Sequence, residues 1–236
     1  MQKIADLGVV VVAGGSSRRY GDENKLFALL GGFPVFIHSL KSFAPLLKKG
    51  ALVLVVPENG KDRFQQALKQ YAPDIDVTFA PGGSTRPQSA VNGLEMLPDD
   101  IRISAVHDAA RPLAGAELLK KLYDEVCRTS CGAIAAEKVV DSICRSDENG
   151  RISDSIDREL LWRIQTPQMF FHQQLLSAYR RFPDSAFTDD SALMRHAGYT
   201  VNVVENPCPN LKLTTRQDLP VLELFLGQGE MSKHQL

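Results

Sequence analysis

The sequence has almost no net charge to offer a polyanion: 27 Lys and Arg stand against 28 Asp and Glu over 236 residues. A general nucleic-acid binder is normally basic, so that class drops out, and an anion site has to be a local cluster of cations. Long apolar runs are missing too, and none approaches the roughly 18 residues of a membrane helix. The N-terminal apolar stretch is short and leads into glycines, unlike a secretory leader, so a cytoplasmic protein with no membrane partner is expected. Cysteine is sparse. Cys127, Cys131, Cys144 and Cys208 contain no CxxC pair and no zinc spacing with histidine. Each thiol is expected to be a small buried hydrophobe, with Cys127 and Cys131 on one helix face. Internal repeats and low-complexity tracts are absent.

What is present alternates. Apolar runs rich in Val and Ile fall at Leu7–Ala13, Ala51–Val56, Ile75–Ala80, Ile103–Val106, Ala133–Ala136 and Thr200–Val204. Segments of helical period lie between them at Pro34–Phe43, Asp62–Tyr71 and Gly115–Val126. Continuous apolar strands separated by amphipathic helices predict an α/β fold: an open, doubly wound, mostly parallel sheet covered on both faces. One domain over residues 1–236 is expected, with a protruding β-hairpin arm at about 138–160. In the arm, Val139–Arg145 and Arg151–Ile156 flank Asp147–Gly150, where Asn149-Gly150 suits a type I′ turn. An isolated polar hairpin is marginal in water, so the arm should pack on something, plausibly a second subunit. The tail after Leu226 is polar and expected to fray.

The first strand ends in "AGGSSRRYGDENK", Ala13 to Lys25. A Walker A loop needs its lysine beside the last glycine and a hydroxyl after it, and Lys25 is followed by Leu26. The dinucleotide fingerprint fails on glycine spacing, and no acid closes the next strand. What remains is a strand followed by Gly14 and Gly15, which let backbone N–H groups approach a ligand, then Ser16, Arg18, Arg19 and Lys25. By itself this pattern fits a solvated turn equally well.

Ligands of open α/β sheets lie outside the carboxyl ends of the strands. "PGGSTRPQS" follows one such end. There Gly82 and Gly83 open a turn, Ser84 or Thr85 can cap a helix, and Arg86 and Ser89 suit a base or phosphate contact. "HDAARP" follows another. Asp108 could hold Mg2+, which needs only one or two carboxylates besides substrate phosphates, or could cap a helix. Arg111 would add a cation at that rim. "QTPQMF", Gln165–Phe170, is expected as a polar turn, and "NLKLTT" as a short strand carrying Lys212.

These segments, with "VDS", "DRELLW" and "FTDD", resemble the 2-C-methyl-D-erythritol 4-phosphate cytidylyltransferase family in content and order from Val9 to about Asp218. The resemblance implies a Rossmann-like nucleotidyltransferase. It would form 4-diphosphocytidyl-2-C-methyl-D-erythritol and pyrophosphate from CTP and a polyol phosphate, with Mg2+ as cofactor. Arg19 and Lys25 would stabilise the transition state, and Arg158 and Lys212 would place the methylerythritol phosphate. Ala13, Gly14, Gly15, Ser16, Gly83, Ser84, Arg86, Ser89 and Ala109 would line the CTP site. Asp141, Ser142, Arg111 and Thr166 would contact the second substrate, and Asp108 the metal. It also implies a homodimer with exchanged arms. The family usually has proline before the loop lysine, where this chain has Asn24. The competing assignments are a ribitol 5-phosphate cytidylyltransferase, which usually differs at "HDAARP" and "DRELLW", and a non-catalytic nucleotide-binding module.

Overall fold

A computed structural model describes residues 2–14, 20, 24–183 and 187–233. The first half of the chain runs β1 (Leu7–Val12), β2 (Leu29–Leu30), β3 (Phe33–Pro34), α1 (Val35–Phe43), β4 (Leu52–Val56), α2 (Lys61–Tyr71), β5 (Thr78–Pro81), α3 (Arg86–Leu94) and β6 (Ile103–Asp108). The second half runs α4 (Ala116–Thr129), β7 (Gly132–Lys138), β8 (Ile143–Ser146), β9 (Ile152–Ile156), β10 (Trp162–Phe171), α5 (His172–Arg181), α6 (Asp190–His196), β11 (Val201–Glu205) and α7 (Asp218–Lys233).

Seven strands form the main sheet, in the order β11-β7-β10-β6-β1-β4-β5. All neighbours are parallel except β10, which runs antiparallel to both β6 and β7. The expected open, mostly parallel α/β sheet is therefore present. Its central strands are apolar without alternation because helices cover both faces: Val9, Val10, Val11, Val53, Leu54 and Val55 are all fully buried. On one side α3 packs against β1 and β4. It comes close because residue 93 is glycine; a Cβ there would lie 2.4 Å from Val10 Cγ1 and 2.6 Å from Val55 Cγ2. On the other side α1 buries Phe36, whose ring meets Phe64 at 4.9 Å and Phe27 at 5.7 Å between centroids.

Registers bring the strand ends together. Val12 pairs with Asp108, and Val56 pairs with Pro81. The loops after β1, β5 and β6 therefore leave the same rim of the sheet.

Several local expectations change. Strand β8 starts only at Ile143, so residues 139–142 are irregular. Among the described non-glycine residues only Ser130 has positive φ, so Asn149 cannot occupy a type I′ turn. Gly150 N donates to Asp147 O, Gly150 has φ +78°, and Asp147 Oδ1 accepts from Asn149 N and Arg151 N. That is a turn closed by one left-handed glycine and anchored by aspartate. "QTPQMF" is not a turn but the middle of β10, which carries a bulge between Ile164 and Gln168. "NLKLTT" forms no strand. Helix α4 stops at Thr129, capped by left-handed Ser130, which leaves Cys131 off the helix. Cys127, Cys144 and Cys208 are exposed rather than buried. Helix α7 continues past Leu226 to Lys233, where fraying was expected. No helix among the described residues is long and apolar enough to cross a membrane.

Candidate active site

The rim of the sheet gathers acid and base around Asp108, the last residue of β6. Lys212 Nζ donates to Asp108 Oδ2 at 2.7 Å. Arg86 Nε and Arg111 Nε each stand 3.8 Å from the same carboxylate. Burial alone would raise the Asp108 carboxyl, but Lys212, Arg86 and Arg111 outweigh it and hold it at about 2. It is ionised at neutral pH, and it does not cap α4, whose N-cap is Gly115.

Behind Asp108 lies a buried relay. The Asp108 backbone N–H donates to Thr166 Oγ1 at 3.0 Å, and Thr166 Oγ1 lies 3.1 Å from His107 Nδ1. The other ring nitrogen of His107 is 3.2 Å from both Arg111 O and Ser39 Oγ. Since Arg111 O can only accept, Nε2 carries the proton, Nδ1 accepts, and Thr166 donates to it. Burial pushes His107 down to about 4, so the ring is neutral. This relay fixes the turn from Asp108 to Arg111. Ala13 and Ala109, the residues just after the ends of β1 and β6, are both buried, and Ala109 N donates to Val12 O at 3.1 Å.

The segment 206–215 crosses this rim as an irregular strap. Leu213 anchors it: its side chain is fully buried and its N–H donates to Ala110 O at 2.8 Å. Lys25 Nζ donates to Leu213 O at 2.8 Å. The lysine of the first loop and the lysine of the strap thus meet at adjacent residues. Arg111 Nη1 donates to Asn210 O at 2.8 Å, and burial lowers the Arg111 guanidinium.

The loop after β5 is set by Ser89. Its hydroxyl accepts from Gly83 N at 3.0 Å and donates to Thr85 O at 2.9 Å. Thr85 is the N-cap of α3, accepting from Gln88 N at 3.2 Å. Gly83 is required for space, because a Cβ would lie 2.3 Å from Gln88 Cγ. Ser84 is exposed in this loop, and Gly14 faces Ser89 from across the rim, its would-be Cβ 3.5 Å from Ser89 Oγ.

Arg86 is held from behind. Its two terminal nitrogens donate to Asp190 at 2.8 and 2.9 Å, and Tyr179 Oη donates to the same carboxylate. Asp190 raises Arg86 further above its ordinary value, and burial followed by Asp190 raises Tyr179. Asp190 and Tyr179 were not singled out from the sequence. "FTDD" was visible, but only the fold shows that Asp189 caps α6 while Asp190 turns inward. His107 and Gln165 were equally hidden, inside "HDAARP" and "QTPQ".

The structure therefore brings together Lys25, Arg86, Asp108, Arg111, Thr166 and Lys212, with Ala13, Gly14, Gly83, Ser84, Ser89 and Ala109 around them. Arg19, Gly15 and Ser16 lie outside the described residues. Asp141, Ser142 and Arg158 sit in the arm. There Arg158 Nη1 donates to Val140 O at 2.5 Å, and β8 and β9 form a sheet of their own.

A single ionised carboxylate at a rim of cations can do one kind of work well: hold a polyphosphate and a divalent ion. Among the described residues no three His, Cys, Asp or Glu side chains converge as a metal cage. A lone hard oxygen donor fits Mg2+, which keeps waters and takes phosphate oxygens as its other ligands.

Comparison with known proteins shows the family. The 2-C-methyl-D-erythritol 4-phosphate cytidylyltransferase family (IspD) matches residues 7–228. Enzymes of that name from Bacillus velezensis and Porphyromonas gingivalis are 35% and 36% identical, covering 96% and 92% of this chain and 97% and 96% of their own. The crystal structure of 4-diphosphocytidyl-2C-methyl-D-erythritol synthase from Anaerococcus prevotii superposes with a TM-score of 0.79 at 26% identity, covering 94% of this chain and 98% of that one. The cytidylyltransferase of Thermus thermophilus gives 0.75 at 26%, covering 92% and 97%. The fold, the rim of cations around Asp108 and these likenesses lead to one conclusion: the chain belongs to the 2-C-methyl-D-erythritol 4-phosphate cytidylyltransferase family.

Proposed function

We propose that the site transfers the cytidylyl group of CTP to 2-C-methyl-D-erythritol 4-phosphate. A phosphate oxygen of the acceptor attacks the α-phosphorus of CTP in line, the bond to the β-phosphate oxygen breaks, and pyrophosphate leaves. No covalent enzyme intermediate is needed, so catalysis is positioning and charge neutralisation. The observation that carries the assignment is the meeting of Lys25, Lys212 and Asp108 at one strap.

In this scheme the loops bearing Ala13, Gly14, Gly15, Ser16, Gly83, Ser84 and Ser89 receive the cytidine and its phosphates, with Ala109 beneath them. Arg86, held by Asp190, faces the same pocket. Arg19 and Lys25 neutralise charge growing at the α-phosphate. Lys212 and Arg111 receive the acceptor phosphate. Asp108 would hold Mg2+; when bound, the ion offsets triphosphate charge and eases pyrophosphate departure. The Thr166 hydroxyl is turned toward Asp108 N and His107, so it reaches substrate only by sharing that bond.

The arm is the second half of the proposal. Val140, Ile152 and Leu160 are 68%, 73% and 87% exposed on it. Apolar groups so displayed on a hairpin whose strands, among the described residues, pair with each other suit burial against a second copy of the chain. In such a homodimer Asp141, Ser142 and Arg158 would serve the partner's site.

Pyrophosphate release from CTP, measured with and without methylerythritol phosphate, tests the assignment. Release dependent on that acceptor is expected. Faster turnover with ribitol 5-phosphate would reassign the acceptor, and nucleotide binding without turnover would leave only a binding module.

A further inference from the structure

The strap that carries Lys212 is irregular: its backbone is tied at Asn206 N to Ala136 O and at Leu213 N to Ala110 O, both at 2.8 Å, and side-chain bonds shape the turn between these two points. The side chains of its first half converge on one residue of β10. Gln165 Oε1 accepts from Asn206 Nδ2 and from Asn210 Nδ2, both at 3.1 Å. Asn210 Nδ2 also donates to Thr166 O at 2.9 Å, and Asn210 O receives Arg111. One amide oxygen thus ties both ends of the 206–210 turn, and Lys212 follows two residues later. All three amides are buried.

The other side of the same amide faces the arm. Gln165 Nε2 donates to Glu137 Oε2 at 3.3 Å, and Glu137 accepts from Arg163 Nη2 at 2.6 Å. Glu137 is the next-to-last residue of β7, where the chain leaves for the arm; Arg163 is on β10, just after it returns. Each partner fixes which end of the amide points where: two donors meet the oxygen and a carboxylate meets the nitrogen. Gln165, Glu137, Arg163, Asn210, Lys212 and Arg111 line one cavity of about 550 Å³.

We infer that Gln165 is a positioning residue for acceptor binding: it sets the strap, and hence Lys212, from the root of the arm. The inference rests on the assignment of Lys212 to the acceptor phosphate. It assigns Gln165 no contact with substrate and no direct part in CTP affinity: its side chain bonds Glu137, Asn206 and Asn210 rather than the loops after β1 and β5, and Lys25 meets the strap at Leu213 O, beyond the turn that Gln165 holds.

The test is an exchange. Gln165→Glu keeps the oxygen for the two asparagines but sets a carboxylate against Glu137. The double variant Gln165→Glu with Glu137→Gln restores a donor opposite an acceptor with the polarity reversed. Gln165→Glu should raise KM for methylerythritol phosphate about tenfold while KM for CTP stays within about twofold. The exchange should bring the acceptor KM back to within about threefold of the native value. Should Gln165→Glu fail to fold, Asn206→Ala removes one leg of the staple and should raise the acceptor KM alone, by about threefold. Equal rises in both KM values, no change in either, or no recovery in the exchange would each overturn the inference. Lys212→Ala with an unchanged acceptor KM would instead sink the assignment beneath it.

Discussion

Lys212 Nζ donates to Asp108 Oδ2 at 2.7 Å, joining residues 104 positions apart at one corner of the sheet. The carboxylate is 15% exposed and the lysine 42%. A charge this shielded needs its partner, and the pair keeps Asp108 ionised. In the proposed scheme Asp108 would hold the metal and Lys25, which bonds the strap at Leu213 O, would meet the charge at the α-phosphate. Asp108→Ala and Lys25→Ala should each cut turnover at least ~100-fold, about 2.7 kcal/mol of barrier. Steady-state rates with both substrates varied check this; near-native rates in both variants would end the proposed roles.

Asn24 precedes Lys25 where the family usually has proline. Its φ is −71°, within the range that proline fixes, and its Oδ1 accepts from Leu26 N at 3.1 Å. Asparagine thus reaches the proline-like backbone with a side-chain cap in place of a ring. Asn24→Pro should keep kcat within about threefold of native. Asn24→Ala, which has neither device, should cost about 1 kcal/mol of local order and lower kcat further than the proline variant. Turnover with saturating CTP separates them; the reverse order would show that the cap plays no part.

The legible parts of the sequence were those governed by local rules. Val-rich runs became the central strands because both their faces are covered, and Thr85 capped α3 because threonine before a proline-led turn does so. Asp108 and Lys212 were visible as chemistry, but their bond depends on the path of the strap, which Leu213 N fixes on Ala110 O beside the end of β6. "QTPQMF" looked like a turn from its polar residues. It is strand because Gln165 and Gln168 find internal partners that no local pattern announces. Asp190 was hidden for the same reason: a buried acid is identified by the arginine that reaches it, here from α3.

The arm can be removed cleanly. Lys138 of β7 pairs with Trp162 of β10, so the chain enters and leaves the arm at adjacent points that the sheet itself holds. Replacing Val139–Ile156 by a short Gly-Ser turn should leave the sheet folded. It should also yield a monomer by sedimentation and lower turnover at least ~100-fold, because the proposed dimer contact and the proposed substrate groups of Asp141 and Ser142 are removed together. A variant that stays dimeric and active refutes the arm exchange. A monomer with native turnover would keep the dimer role of the arm but remove its residues from the site.

His107 gives the fold an acid limit. Burial holds its imidazole at about 4 against an ordinary 6.5. Between those values the unfolded chain binds a proton that the folded chain refuses, so stability falls as the pH drops from 6.5 toward 4. The shift corresponds to about 3 kcal/mol across that window. Asp108 adds a second loss at lower pH. Its carboxyl is depressed from 3.8 to about 2, so its contribution is complete above 3.8 and disappears as pH falls through 2. Urea unfolding at intervals from pH 7 to pH 4 should show the first loss in the native protein. His107→Asn gives up bonds to Thr166 and Arg111 and should be less stable at pH 7, yet its stability should change less between 6.5 and 4. The slope isolates titration from packing, since lost contacts lower stability at every pH while only a proton changes it with pH. An unchanged slope in His107→Asn would assign the acid sensitivity to other groups and leave His107 a purely geometric clamp on the Asp108 turn.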